Sequence, residues 1–176
     1  MKKQNFIRLT MVFLGLFFAT VGVFAMSLGD VGRVCLFSAI SGTITLDGQP
    51  VNNARLVRTG DRDGAKVDET VTDENGYFEF PPMYERTITK FLPQEFVASQ
   101  KIIVHYDNKK YEMWSAIKRK KEENVEARGK PLIVKCELNA EQSIIVVNNS
   151  PIHSLCSWDV EPDPTIDWEK EGFFDK

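Results

Sequence analysis

Two short stretches of sequence decide the fold. Residues 40–56 read ISGTITLDGQPVNNARL, and residues 72–80 read TDENGYFEF. The first stretch alternates apolar and polar residues and then passes a glycine and a proline, as a half-buried strand entering a tight turn does. The second leads from a polar turn ending in glycine to Phe78 and Phe80, which share one face of a strand. Both stretches therefore predict strands that bury one face.

Short runs of the same kind, separated by Gly, Pro, Asn and Asp turns, continue along the chain. Further strand patterns lie at 34–37, 54–58, 67–72, 102–106, 110–114, 132–138, 144–147 and 152–158. Helical periodicity is weak, and neither an internal repeat nor an interdomain linker is visible. The pattern predicts one all-β domain over residues 33–158, built as an antiparallel β-sandwich.

The two opening stretches resemble the carboxypeptidase regulatory-like domain, a transthyretin-like (prealbumin-like) β-sandwich of seven strands. The family pattern is a "G-x-V" strand, a turn reading "G-x-P-V-x-x-A", and then "T-D-x-x-G-x-F"; here these elements run from Gly42 to Phe78. The sequence departs from the pattern after Phe80, where two prolines and a longer insertion replace a short return strand. The resemblance therefore covers about residues 40 to 80.

Taken with residues 35–38 in front and 136–138 behind, the chain is similar to a family of small exported bacterial proteins built on that sandwich. The resemblance implies a transthyretin-like sandwich of about seven strands. It also implies a non-catalytic accessory, binding or scaffold module. No particular ligand follows from it.

The first 25 residues have the composition of a secretory signal peptide. Three basic residues precede a 16-residue apolar run at 9–24, and the segment ends in Val23-Phe24-Ala25. This arrangement predicts a signal helix over residues 1–25 that is cleaved after Ala25. The alternative is an uncleaved anchor, although the run is shorter than the roughly 20 residues that cross a bilayer as a helix. We therefore expect a periplasmic or secreted protein, or one anchored to the inner membrane by its N-terminus.

The charge of the chain is unevenly distributed. The chain carries −3, but the leader holds three basic residues and no acid, so residues 26–176 carry −6. Seven acids and two lysines lie in residues 159–176, for which we predict an acidic, flexible tail. The charged segment 118–128 predicts a solvated loop or a short helix. An acidic balance disfavours nucleic-acid binding. The tail also contains three aromatic candidates for a binding surface, Trp168, Phe173 and Phe174.

Three cysteines, Cys35, Cys136 and Cys156, follow the leader. An oxidising compartment favours a disulfide, and an odd count leaves one thiol over. We expect Cys136 to pair with Cys156, which would close a 20-residue loop and stabilise the fold by about 3 kcal/mol. A Cys35–Cys156 bond and three buried free thiols are the alternatives.

No catalytic or cofactor motif is recognisable in the sequence. The two histidines, His105 and His153, lie far apart, and a zinc set of His153 with Cys136 and Cys156 lacks the paired close spacing of a structural zinc site. The aspartates between residues 61 and 75 are explained by turn chemistry better than by calcium binding. We therefore predict a protein that is not an enzyme and holds no metal or cofactor.

Four residues of the sandwich are candidates for a binding surface. Tyr77 lies on the outward face of its strand, Trp114 lies in a strand, and Tyr84 and Arg86 follow a double proline in a predicted loop. The leading hypothesis is an exported module that binds a protein of the cell envelope, with an immunity protein against a secreted toxin as a narrower form. The alternatives are a carbohydrate or peptidoglycan module that stacks sugars on Tyr77, Tyr84 and Trp114, and an enzyme whose site is assembled from distant residues.

Overall fold

The computed structural model describes residues 32–87 and 95–164 of the chain. The signal peptide predicted for residues 1–25 and the tail aromatics Trp168, Phe173 and Phe174 lie outside these residues. The described part is all-β, and its sheets pack face to face. This confirms the predicted fold class of an all-β sandwich.

The described residues form thirteen strands and one turn of 3-10 helix at Val125–Ala127. The resemblance implied about seven strands; the larger number includes several segments of two to four residues. In chain order the strands are β1 (Arg33–Phe37), β2 (Ile40–Leu46), β3 (Gln49–Pro50), β4 (Arg55–Asp61), β5 (Ala65–Val71), β6 (Tyr77–Phe80), β7 (Met83–Arg86), β8 (Ala98–Tyr106), β9 (Lys109–Lys118), β10 (Leu132–Glu137), β11 (Ser143–Val147), β12 (Ser150–Ser154) and β13 (Cys156–Trp158).

Two large sheets form the layers of the sandwich. The first has six strands in the order β11-β12-β9-β8-β4-β5, and every pairing in it is antiparallel. The second has the order β13-β10-β2-β3, with β6 also paired to β2. Strands β1 and β7 form a separate antiparallel ribbon. The pairing of β10 with β2 is parallel, so this sandwich is antiparallel in all its described pairings but one.

Gly42 allows β2 and β10 to approach each other closely. A Cβ atom added at Gly42 would collide with the backbone carbonyl of Val134 on β10. Only glycine leaves that space, which is the physical reason for the glycine at the start of the sequence pattern. In this parallel register Val134 lies opposite Gly42, and two residues further along each strand Cys136 lies opposite Ile44.

The predicted turn before Phe78 forms as expected. The Asp73 carboxylate accepts hydrogen bonds from the backbone N–H groups of Asn75 and Tyr77, both 2.8 Å long. Gly76 takes a φ of 73°, which favours glycine. Phe78 and Phe80 then point into the core at 1% exposure. The turn chemistry read from the sequence therefore sets the face that β6 buries.

The core lies between the two large sheets and is centred on aromatic side chains. Trp114 packs against Phe37 and Trp158, with ring centroids 6.2 and 5.1 Å away. The register of β9 slips between Ile102 and Ile103 of its partner strand, so both Met113 and Trp114 point inward. This β-bulge buries Trp114 completely.

Candidate functional site

A buried polar cluster lies where β1, β8, β9 and the 3-10 helix meet. The Glu126 carboxylate accepts hydrogen bonds from Ser38 Oγ at 2.5 Å, from Gln100 Nε2 at 2.7 Å and from Lys118 Nζ at 2.9 Å. All four residues are at most 4% exposed. Trp114 Nε1 donates to Gln100 Oε1 at 3.3 Å, which connects the cluster to the aromatic core. We call Ser38, Gln100, Lys118 and Glu126 the buried polar cluster.

The prediction for residues 118–128 is a solvated loop or a short helix: a short 3-10 helix is present at Val125–Ala127, but the predicted solvation is wrong for Lys118 and Glu126, which are buried. Lys118 ends β9 facing inward, and Glu126 lies in the 3-10 helix that folds back over it. Burial would raise the pKa of Glu126, but the Lys118 ammonium and the hydrogen bonds from Ser38 and Gln100 hold it below the ordinary value. The carboxylate therefore stays ionised beside its cation.

A hydroxyl, an amine and a carboxylate within hydrogen-bonding reach are the residue types that nucleophilic catalysis uses. Here Lys118 Nζ lies 3.5 Å from Ser38 Oγ, but the ammonium pairs with Glu126 and the hydroxyl donates to the same carboxylate. The side chains of Lys118 and Glu126 are 0% and 4% exposed. The geometry therefore supports a role in joining strands, since a substrate would need access to the hydroxyl.

A second buried cation, Arg58 on β4, lies beside the buried polar cluster and contacts it through the backbone of Ser38. Its guanidinium makes two hydrogen bonds to the Asp68 carboxylate on β5, at 2.9 and 2.6 Å, and donates to the carbonyls of Ser38 and Pro81. It also stacks over the ring of Phe80, 4.5 Å from the centroid. Arg58 thus anchors β5 to the interior of the sandwich.

The cysteine prediction is confirmed for Cys136 and Cys156, which form a disulfide between directly opposed residues of β10 and β13. Cys35 is free and buried, so the Cys35–Cys156 alternative and the three-thiol alternative are wrong. Burial raises the pKa of the Cys35 thiol to about 11. The disulfide lines an open groove of about 480 Å³ between β13 and the start of β11.

The zinc set weighed from the sequence is excluded because the disulfide consumes both of its thiolates. Within residues 32–87 and 95–164, no group of three or more His, Cys, Asp or Glu side chains is arranged to hold a metal ion. The same residues contain no helix that is long and apolar enough to cross a membrane.

The four predicted surface residues of the sandwich do not converge. Tyr77 is 42% exposed on the outer face of β6, as expected. Trp114 is fully buried, so its assignment to a surface is wrong; the bulge in β9 turns it inward. Tyr84 and Arg86 lie in β7 rather than in a loop. The three aromatic side chains therefore form no common stacking face.

Tyr84 is held by its neighbours. Its hydroxyl donates to Glu123 at 2.6 Å, and the Arg33 guanidinium covers its ring at 4.0 Å from the centroid. The hydrogen bond to Glu123 and partial burial raise the pKa of Tyr84 to about 12. A wide, shallow depression beside the β1–β7 ribbon is lined by Arg33, Tyr84, Arg86 and Lys66.

An exposed apolar strip crosses the outer face of β9, β12 and β11. Ile144 is 62% exposed, Val146 is 38% exposed and Ile117 is 36% exposed. Pro151 lies between them, opposite Val146 on the neighbouring strand. We call Ile117, Ile144, Val146 and Pro151 the apolar strip. Contiguous apolar side chains on a sheet face are typical of an interaction surface.

The sequence predictions missed the apolar strip, although residues 144–147 contain a signal for it. Residues 144–147 are four consecutive apolar residues on a strand, so both faces of that strand are apolar. Such a run is typical of a strand that is covered on both sides. Ile145 and Val147 face the core, whereas Ile144 and Val146 face outward. The described residues leave the outward pair uncovered.

The first residues of the acidic tail are attached to the sandwich. Asp163 accepts hydrogen bonds from the N–H groups of Asn148 and Asn149 and from Arg128, and its own N–H donates to the Val146 carbonyl at 2.7 Å. The Asn149 N–H is the largest cause that holds the pKa of Asp163 below its ordinary value. Residues 159–164 thus contact the domain; the rest of the predicted flexible tail lies outside the described residues.

Fold and surface define a class: a disulfide-bonded, two-layer β-sandwich whose apolar strip extends onto the edge strand β11 and is left exposed by the described residues. The family described as "Domain of unknown function (DUF6795)" matches residues 40–141, well over half of the chain. The chain belongs to that family. No curated protein matches the sequence, and no solved structure matches it.

Proposed function

We propose that this chain is an exported, non-enzymatic β-sandwich that binds another protein of the cell envelope through the apolar strip. The observation that carries the proposal is the exposure of Ile144, at 62%, on a strand that is apolar on both faces. Burying such side chains against a partner contributes roughly 25 cal/mol per Å² of apolar surface removed from water.

The surroundings of the strip indicate the chemistry of the partner. Arg119 and Lys120 lie two and three residues after Ile117 and are exposed, and Lys120 Nζ donates to Asn148 in the turn between β11 and β12. Lys101 lies on the same outer face, 51% exposed, and pairs with Glu112, as Arg119 pairs with Glu95. A partner that presents apolar side chains with an acidic group opposite Lys120 would complement this surface.

Affinity capture from an envelope extract tests the proposal with matched baits. One bait is the native chain, one carries Ile117→Lys with Val146→Lys, and the control carries Val67→Lys on β5, where the native side chain is 56% exposed. We expect a specific protein on the native and control baits and at least a tenfold loss on the strip variant. Equal recovery on all three baits, or no specific protein on any, would contradict the proposal.

Export is part of the proposed function. It rests on the basic and apolar leader and on the Cys136–Cys156 disulfide, which persists in an oxidising compartment. N-terminal sequencing of the protein recovered from the periplasm or the medium tests it. A mature chain that starts at Met26 is expected, and an intact Met1 would contradict cleavage.

The narrower form of the proposal is an immunity protein that neutralises a secreted toxin. A small exported domain with one binding surface suits that task. Its test is competition between a strain that lacks this gene and its parent. If the deletion strain survives beside the parent unharmed, the immunity role is excluded while the binding proposal remains.

We also propose kinship with the carboxypeptidase regulatory-like sandwiches. Its support is that the shared positions have mechanical roles here: Gly42 admits the neighbouring strand, Gly48 has a φ of 76° in its turn, and Ala54 is fully buried. A crystal structure would test it by superposition on such domains. A strand order that cannot be superposed on theirs would contradict it.

A further inference from the structure

The β1–β7 ribbon places two arginines directly opposite each other. Arg33 on β1 is the register partner of Arg86 on β7, so both side chains leave the same face of the ribbon. Tyr84 lies on that face as well, and the Arg33 guanidinium is 4.0 Å from the centroid of its ring. Like charges in directly opposed positions destabilise a strand pair. The fold thus concentrates positive charge here, although the chain carries −3.

A third cation reaches the ribbon from the six-stranded sheet. Lys66 on the edge strand β5 is exposed, and its Nζ donates to the Tyr84 carbonyl at 2.8 Å. The depression beside the ribbon has a volume of about 700 Å³ and is lined by these three cations, by Tyr84 and by Glu85. Three strands that are distant in sequence therefore each supply one cation to the same depression. We call Arg33, Lys66 and Arg86 the basic site.

The acidic groups nearby do not balance this charge. Glu85 alternates with Tyr84 and Arg86 along β7, and its carboxylate lies 3.9 Å from Arg62 Nη1. Glu123 accepts the hydrogen bond of the Tyr84 hydroxyl. Arg86 is exposed, and within residues 32–87 and 95–164 no carboxylate pairs with its guanidinium. The basic site therefore keeps an excess of positive charge that faces solvent.

The kinds of cation in the site indicate the ligand. A guanidinium binds phosphate oxygens through paired N–H donors, and an ammonium adds a compact charge with three donors. A carboxylate can be bound by one guanidinium, whereas a phosphate dianion has the charge and the oxygen atoms to engage all three cations. Stacking on Tyr84 orders the Arg33 guanidinium in advance, which reduces the entropy lost on binding.

We propose that the basic site binds a phosphate dianion, either free phosphate or the phosphomonoester of a lipid headgroup. This inference goes beyond the proposed function, because the site lies beside β5, whereas the apolar strip lies on β9, β12 and β11 at the other end of the same sheet. Loss of either surface leaves the other intact, so the two proposals fail separately.

Titration of the exported protein with inorganic phosphate tests the site, with amide chemical shifts as the readout. We expect saturable shifts at Lys66, Tyr84 and Arg86, and an affinity at least about tenfold weaker in Arg86→Gln, which loses charge-assisted hydrogen bonds. The matched control is Lys109→Gln, which removes one exposed charge at the start of β9 and should leave the affinity unchanged. Sodium chloride at equal ionic strength should give no saturable shift.

Cosedimentation with vesicles separates the two sources of phosphate. Vesicles of equal parts phosphatidylcholine and phosphatidic acid present the phosphomonoester in a membrane, and pure phosphatidylcholine vesicles are the blank. Retention on the former that is lost in Arg86→Gln would support the site with the headgroup as its ligand. Saturable phosphate binding without retention would support it with free phosphate as the ligand. Equal behaviour of Arg86→Gln and Lys109→Gln in both experiments, or no binding in either, would overturn the proposal.

Discussion

The two edge strands of the six-stranded sheet protect themselves differently. β5 reads AKVDETV and carries Lys66, Asp68 and Glu69, whereas β11 reads SIIVV and carries no charge. Charged residues on an edge strand discourage pairing with other chains, and an uncharged edge invites it. β5 can therefore face water by itself, while β11 needs another segment or another molecule beside it.

Each edge is also tied to the interior by a buried cation. Arg58 binds Asp68 of β5 directly. For the β11 edge, Lys118 binds Glu126 in the 3-10 helix. The carbonyl of Val125 in that helix then accepts a hydrogen bond from the side chain of Asn148, in the turn after β11. The support of β5 is therefore direct, whereas that of β11 passes through the 3-10 helix.

The largest effect is expected from breaking the support of β11. Glu126→Ala leaves the Lys118 ammonium buried without its partner and should lower the free energy of unfolding by about 3–5 kcal/mol. Urea denaturation measures this. Arg119→Ala, which removes an exposed ion pair with Glu95, is the control and should cost less than about 1 kcal/mol. A loss of under about 1 kcal/mol for Glu126→Ala would contradict a structural role of the cluster.

Breaking the support of β5 should cost somewhat less. Arg58→Met keeps much of the apolar stem but removes the bonds to Asp68 and to two carbonyls, so we expect a loss of about 3 kcal/mol. Arg55→Met on the same strand removes a solvent-exposed pair with Glu69, whose two side chains are 53% and 46% exposed, and should have little effect. The same denaturation experiment compares the two. Equal losses would mean that burial of Arg58 is unimportant for β5.

Acid should loosen the β11 side through Glu126. Its pKa in the folded protein is lowered from 4.5, so the stabilisation is fully present above that value and is lost as the pH falls through the folded pKa. Glu126→Gln removes this contribution, and the decline of stability below about pH 4.5 should become shallower. Denaturation midpoints measured between neutral pH and pH 3 would show it. An unchanged slope in the variant would contradict the assignment.

The smallest effect is expected at the attachment of the chain after β13. Asp163→Asn weakens the bonds to Asn148, Asn149 and Arg128 and should cost about 1 kcal/mol. Asp159→Asn is the matched control, because its ion pair with Lys130 is 87% exposed on the aspartate side and contributes little. Thermal unfolding of both variants measures the difference. If the two shift the midpoint equally, Asp163 does not anchor this segment.

Local chemistry made the strands and turns of the first half predictable. The turn before β6 follows from Asp73 and Gly76, and the disulfide follows from the positions of Cys136 and Cys156 at the ends of two apolar segments. These features depend on residues close in sequence or on a small number of pairings. The parallel pairing of β2 with β10 depends on residues about 90 apart and has no local signal.

The buried polar cluster was missed for the same reason. Lys118 and Glu126 belong to a charged run whose composition predicts solvent exposure, and their burial depends on Ser38 and Gln100, which lie far away in sequence. The apolar strip, in contrast, had a signal at residues 144–147. A strand that is apolar on both faces predicts that both faces are covered, even before the sheet order is known.

The most direct test of the contrast between the two edges is amide hydrogen exchange along β5 and β11 in the full chain. We expect the amide of Ile144 to exchange at least about tenfold more slowly than the edge-facing amides of β5, because an uncharged edge strand that is apolar on both faces needs a cover. An Ile144 amide that exchanges as fast as those of β5 would contradict it.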